Sequence, residues 1–170
     1  MSLPIIIYTD GAALGNPGPG GYGAVLMHAQ HRKELSGGFR RTTNNRMELL
    51  AVIMALKHIK TPGLPIQIYT DSKYVCDAIE KKWLFGWKAK GWKKVKNVDL
   101  WQMFLGHYEI HKPNFYWVKG HAGIKENERC DVLATTAAQS KPTDIDVNYE
   151  RYEAEEKNTD QSTGSSRLDF

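Results

Sequence analysis

The chain begins with a dense apolar run. Leu3 to Thr9 is β-branched and aromatic and stops at Asp10-Gly11, the pattern of a buried strand ended by a turn. Gly21 to His28 and Arg32 to Arg40 read as two further strands, with Ala29 to His31 as a short hairpin connection, so three antiparallel strands open the domain. From Thr43 to Lys60 the period changes. Met47, Leu50, Ala51, Met54, Ala55 and His58 recur at helical spacing until Pro62-Gly63 ends the element. Pro65 to Thr70 returns to strand character, and Ser72 stands in the cap position of another helix. Asp99 to His111 reads as a helix, Asn114 to Val118 as a last strand and Lys125 to Gln139 as a closing helix.

This succession predicts an α/β fold with a five-stranded mixed sheet flanked by helices. A helical crossover leaves its two flanking strands as parallel neighbours, whereas the first three strands are antiparallel. Beyond about Lys141 the apolar periodicity stops, and Ser, Thr, Asn, Asp and Glu take over. Residues 1–140 are therefore expected to form the domain and residues 141–170 an acidic, mobile tail. A length of 170 residues suits one domain, and 41% hydrophobic with 25% charged residues is ordinary globular usage. No apolar run approaches the roughly 20 residues of a membrane helix. The first ten residues lack the basic start and small-residue cleavage site of a signal peptide, so a cytoplasmic location is expected. Cys76 and Cys130 lie outside any CxxC pattern and read as buried apolar fillers.

Charge changes the picture more than composition does. The net charge is +4, but residues 141–170 hold eight acids against four bases, which leaves residues 1–140 at +8. Such a body suits a polyanionic partner, most often nucleic acid, or simply a solvated surface. Residues 81–98 concentrate the excess: Lys81, Lys82, Lys88, Lys90, Lys93, Lys94 and Lys96 occur there without an acid, interleaved with Trp83, Phe85, Trp87 and Trp92. This composition predicts a basic protrusion that grips a duplex backbone and is anchored by its tryptophans.

Four acids carry the candidate chemistry. Asp10 closes the first strand, Asp71 closes the fourth, Glu48 lies in the first turn of the first long helix, and Asp131 borders the apolar stripe of the last helix. Open sheets with crossover helices gather their sites at such strand ends. Four carboxylates held together repel unless a cation neutralises them, and hard oxygen ligands suit magnesium (Mg2+) or manganese (Mn2+). Two such ions about 3.5–4 Å apart can clamp the attacking and leaving oxygens of a phosphodiester. Blander readings stand beside this one. Asp10-Gly11 can be a turn, Asp71 can help cap its helix, and for Glu48 a capping box begun by Asn45 is as good a reading as a ligand. Asp131 has no base three or four positions away to satisfy it. Gly18, Gly20 and Gly23 formally satisfy GxGxxG, but they open a strand rather than a helix, which rejects a dinucleotide site. Leu14 to Gly23 reads equally as a structural turn or as backbone that approaches a ligand.

Five segments in register resemble type 1 ribonuclease H: TDGAALGNPGPGGYGA (9–24), RTTNNRMELLA (41–51), YTDSKYV (69–75), VKNVDLW (95–101) and WVKGHAGIKENERCDVLA (117–134). The resemblance spans roughly residues 3–138. It implies the ribonuclease H-like fold, a monomer, and metal-dependent endonucleolytic cleavage of the RNA strand of RNA/DNA hybrids to 5′-phosphate products. By the same resemblance Asp10, Glu48, Asp71 and Asp131 hold two ions. His121 corresponds to a loop histidine that helps activate water or release product, a task suited to a side chain that titrates near pH ~6.5. Asn16, Asn44 and Asn45 correspond to minor-groove contacts, where RNA displays its 2′-hydroxyls. Arg41, Thr43 and Asn97 correspond to the holder of a DNA-strand phosphate, helped by helix-start amides near Asn44. Lys73 stands where glutamine is frequent, and the lysine-rich segment, with Lys88, Lys90, Lys93, Lys94 and Lys96, resembles the basic protrusion of bacterial members, with a shorter link from Trp92 to Val95. The rival readings are a DNA-cutting or strand-joining relative on this fold and a module that binds hybrid or double-stranded RNA without activity. The asparagines oppose the first and the full set of acids opposes the second. For the tail, a disordered segment is the preferred reading, and docking of its Arg167-Leu168-Asp169-Phe170 end on a protein partner is the other.

Overall fold

In the computed structural model, which describes residues 2–164, β1 (Ile5–Ala13), β2 (Gly18–His28) and β3 (His31–Thr42) form an antiparallel meander. α1 (Asn44–His58) then crosses the sheet to β4 (Ile66–Thr70). The crossover does not leave β4 beside β3. Two successive hairpins place β2 and β3 on one side of β1, so the open edge of β1 receives β4 in parallel, and β5 (Asn114–Trp117) adds in parallel beyond it. The strand order is β3-β2-β1-β4-β5, a mixed sheet with its first three strands antiparallel.

α1 is buried on most of its circumference. Leu49, Val52, Ile53 and Leu56 belong to the main core with Ile7, Ile68, Trp101 and Phe104, while Met47 and Ala51 pack against Tyr22. Its start follows from local chemistry: Thr43 Oγ1 accepts from the Arg46 backbone N–H at 3.3 Å, so Thr43, and not Asn45, caps the helix. α2 (Lys73–Glu80) is capped by Ser72, whose Oγ accepts from the Val75 N–H at 3.2 Å, as its sequence suggests. Lys82, with φ of 58°, breaks the helical path and starts α3 (Trp83–Ala89) on a new axis. α4 (Val98–His111) brings Trp101 and Phe104 under the sheet, edge-to-face at 5.8 Å. Across the other face lies α5 (Lys125–Gln139), whose close approach requires glycines on β2: a β-carbon at Gly23 would stand 2.6 Å from the Cys130 carbonyl oxygen. Cys76 and Cys130 are both buried free thiols, and burial pushes Cys76 up to about 12. Among the described residues no helix is long and apolar enough to cross a membrane.

The expected mobile tail is where the structure departs most from the sequence reading. Residues Val147–Gly164 form a helix, α6, and the segment before it is fixed to the body. The Arg40 N–H donates to the Asp144 carbonyl at 2.8 Å, and the buried Asp146 carboxylate accepts from Thr42 Oγ1 and from Arg46 Nε, each at 2.8 Å. Arg40 and Arg41 on β3 then bind Glu150 and Glu153 of α6 through two-pronged hydrogen bonds. These anchors are ionic rather than apolar, so hydrophobic periodicity carries no sign of them. The Arg167 to Phe170 end lies outside the described residues.

Candidate active site

The β1–β4 ladder ends at the Thr9–Thr70 pair, so the next residues, Asp10 and Asp71, leave adjacent parallel strands at the same level. Asp10 does not end its strand, because β1 continues to Ala13 against the glycines of β2. α1 passes over this point closely enough that a β-carbon on Gly11 would collide with the Glu48 backbone nitrogen. That approach brings Glu48, at the start of the second helical turn, onto Asp10. One carboxylate oxygen from each of Asp10, Glu48 and Asp71 lies within 4.8 Å of the others. Asp131 arrives from α5 by a similar route: Gly23 pairs with Asp10, and the Cys130 carbonyl sits over Gly23. Asp131 stays outside the tight trio but near enough for its negative charge to act on Asp10.

The electrostatics of the trio are those of crowded anions. Burial first, then the charge of Asp71, push the Asp10 carboxyl up to about 7, against the lowering effect of hydrogen bonds from Glu48 and the Gly11 N–H. Glu48 is raised well above the carboxylate range, by burial and then by Asp10. Its Oε2 is buried without a hydrogen-bond partner, and among the described residues no lysine or arginine forms an ion pair with any of the four acids. An orphaned, buried carboxylate oxygen beside two further carboxylates is a donor set suited to a hard divalent cation.

Neighbouring groups hold Asp71 from outside. Trp117 Nε1 donates to the Asp71 carbonyl at 3.0 Å, and the Lys73 ammonium lies over the Trp117 ring, 5.1 Å from its centre. Gly120 rests on the Asp71 side chain, where a β-carbon would approach Oδ2 to 2.8 Å. His121 follows in the same loop, exposed and in the left-handed region with φ of 55°.

The residues matched to the hybrid contacts gather in a second place. Asn16, Thr43, Asn45, Lys96 and Asn97 line a groove of about 870 Å³ whose opposite wall is α6. Asn16 Oδ1 accepts from the Asn44 N–H at 3.1 Å, so that helix-start amide is taken by the loop. Asn97, left-handed with φ of 61°, donates to Tyr74 Oη at 3.0 Å and accepts from Arg46 Nη1 at 3.4 Å. Arg41 is held by Glu153, with Nε to Oε1 at 2.7 Å and Nη2 to Oε2 at 2.8 Å. In the basic segment Trp87 and Trp92 pack on the core, Trp87 at 5.7 Å from Trp101, whereas Trp83 is exposed and takes the Lys81 ammonium on its face. Lys88 pairs with Glu109 and Lys81 with Asp77, each at 3.5 Å. Lys90, Lys93, Lys94 and Lys96 are exposed.

The ribonuclease H family model matches residues 3–139, a span that contains all four acids. The chain belongs to the ribonuclease H family. It is 56% identical over 151 residues to the ribonuclease H of Shewanella amazonensis, covering 86% of this chain and 96% of the relative. It is 53% identical to that of Syntrophus aciditrophicus over 150 residues, covering 85% and 86%. Among solved structures it is similar to LC9-RNase H1, a type 1 enzyme with the type 2 active-site motif, at 32% identity and a TM-score of 0.73, covering 89% of this chain and 81% of that one. It is also similar to LC11-RNase H1 in complex with an RNA/DNA hybrid, at 29% identity and a TM-score of 0.59, covering 79% and 96%.

Two features of this ribonuclease H escaped sequence reasoning. Arg46 is buried and binds both Asp99 and Asp146. Its signal was present, since an arginine between Asn45 and Met47 falls in a helix buried nearly all round, but a single charge among apolar neighbours does not name its partners. Burial alone would raise the Asp99 carboxyl, and the Arg46 guanidinium more than offsets it, holding Asp99 below its ordinary value. The second feature is α6, which lies beyond the family match.

Proposed function

We propose that this protein is an endonuclease that hydrolyses the RNA strand of RNA/DNA hybrids to 5′-phosphate products, as in the removal of RNA primers during replication. The observation that carries the reading is the trio of buried Asp10, buried Glu48 and half-buried Asp71 with its orphaned Glu48 oxygen, together with a groove lined by Asn16, Asn45 and Asn97. Asp10, Glu48, Asp71 and the nearby Asp131 would hold two divalent ions, magnesium or manganese. When bound, such ions supply a water of lowered pKa and a counter-charge for the departing 3′-oxygen.

The chain's own residues do the rest. The carboxylates fix where cationic ligands would sit relative to the strand ends, and they repel a phosphate that arrives without such a cation. Asn16, Asn44 and Asn45 offer amides to a minor groove, where donors and acceptors can tell ribose from deoxyribose. Arg41, Thr43 and Asn97 seat a DNA-strand phosphate and so set the register of the duplex. His121, exposed in the loop between Gly120 and Gly123, accepts or delivers a proton at the reacting phosphate. Lys90, Lys93, Lys94 and Lys96 grip the backbone further along. The test is cleavage of labelled hybrid, double-stranded RNA and double-stranded DNA with magnesium, manganese or chelator. Cutting confined to the RNA of the hybrid, lost with chelator and in Asp10→Asn, is the expected result; hybrid binding without cutting would overturn it.

A further inference from the structure

α6 carries five acids between residues 150 and 160 (Glu150, Glu153, Glu155, Glu156 and Asp160) against Arg151 and Lys157. It has no apolar stripe: from Glu153 to Gln161 nearly every side chain is exposed, and Tyr149 and Tyr152 supply the half-buried contacts. A helix that is polar all round is not held by burial of an apolar face. Here the charges lie at the groove: Glu153 is part of its wall, and its partner Arg41 stands two residues before Thr43, which lines the other side. Glu153 engages Arg41 through both of its oxygens, the same fork geometry in which a guanidinium binds a phosphate. Tyr149 Oη donates to Glu153 Oε2 at 3.2 Å and steadies it. Glu155 and Glu156 line the groove opposite Asn16, Thr43 and Asn97. A duplex seated on those residues would bring its phosphates against carboxylates, and one guanidinium cannot serve both anions.

We propose that α6 is a built-in competitor for the hybrid: the Glu153 carboxylate stands in for a DNA-strand phosphate on Arg41, and the helix must leave the groove before a duplex can seat. This rests on the reading of Arg41, Thr43 and Asn97 as the phosphate subsite. Asp146 and the backbone of Asp144 hold the base of the helix, so displacement pivots there while the body stays folded. The competition weakens the first encounter with substrate and leaves the chemical step alone. It also favours long duplexes, whose other contacts on the basic segment can displace the helix, over short ones.

The experiment uses the full chain with Glu153→Gln and Glu153→Gln/Glu156→Gln, variants that keep the Asp146 anchor. KM and kcat are measured on a labelled hybrid, together with hybrid affinity by anisotropy in metal-free buffer. At low salt Glu153→Gln should lower both KM and Kd by about two- to five-fold, with kcat unchanged, and the gain should shrink as salt screens the pair. Unchanged or weaker binding overturns the proposal. In a second measurement, saturating hybrid should speed tryptic cleavage at Arg151 and Lys157, and protection of those sites overturns it independently. A wild-type chain that binds hybrid without cutting it would defeat the nuclease reading, while the affinity and proteolysis arms would still decide the competition.

Discussion

Arg46 Nε and Nη2 donate to the two oxygens of Asp146 at 2.8 and 3.0 Å, joining the first helix to a residue one hundred positions later. Asp99 completes the arrangement at 2.7 Å, so one buried guanidinium ties together α1, the start of α4 and the base of α6. The Asp146 link is therefore part of the fold. Asp146→Ala leaves a buried charge with half of its compensation and should lower the unfolding free energy by roughly 2–4 kcal/mol. Urea titration followed by circular dichroism measures it, and a loss below about 0.5 kcal/mol, the level of an ordinary surface change, would show that the anchor is dispensable.

Asp10→Asn should abolish cleavage yet stabilise the metal-free protein. The folded state raises Asp10 from 3.8 to about 7, so it binds a proton that the unfolded chain has released. The resulting penalty is absent below about pH 4, builds as pH rises through the interval, and is complete above about pH 7. Asparagine never bears the charge, so its advantage should be on the order of 4 kcal/mol above that interval and vanish in acid. Melting temperatures of both proteins in chelator from pH 4 to 8 test the sign; a variant less stable at pH 8 would contradict the crowding.

Gly11→Ala probes the closeness of α1 to β1. Its β-carbon meets helix backbone, which cannot step aside as a side chain can, so the substitution should cost about 1–3 kcal/mol and displace Glu48 from Asp10, with activity falling more than stability. Gly86 offers the contrast. It lies in α3 with open space around it, and Gly86→Ala should gain about 0.5–1 kcal/mol with unaltered cleavage. Thermal melts and steady-state rates on the same preparations separate the two.

Replacing Lys90, Lys93, Lys94 and Lys96 together by glutamine should flatten the salt dependence of hybrid binding. Each lysine that contacts a phosphate contributes close to 0.9 to the slope of log K against log salt. Lys88, already facing Glu109, should contribute less. Anisotropy titrations at four or five salt concentrations suffice, and an unchanged slope would remove this segment from the interface.

The sequence by itself determined the alternating elements, because strands and helices announce themselves through apolar periods of two and near 3.6. It also marked the acids, since Asp10 and Asp71 follow apolar runs and Asp131 borders a small-residue helix face with no base in reach. What it left open, only the tertiary structure decided. Whether Glu48 capped its helix or faced Asp10 depended on Thr43 taking the cap and on Gly11 letting α1 approach. The place of β4 beside β1 rather than β3 depended on which sheet edge was free. The fate of residues 144–153 depended on charges far apart in the chain, Arg40, Arg41 and Arg46 finding Glu150, Glu153 and Asp146. Local pattern reports burial that repeats along one segment. An ion pair formed across a hundred residues has no period, and it becomes visible only when the chain has folded and brought its two ends together.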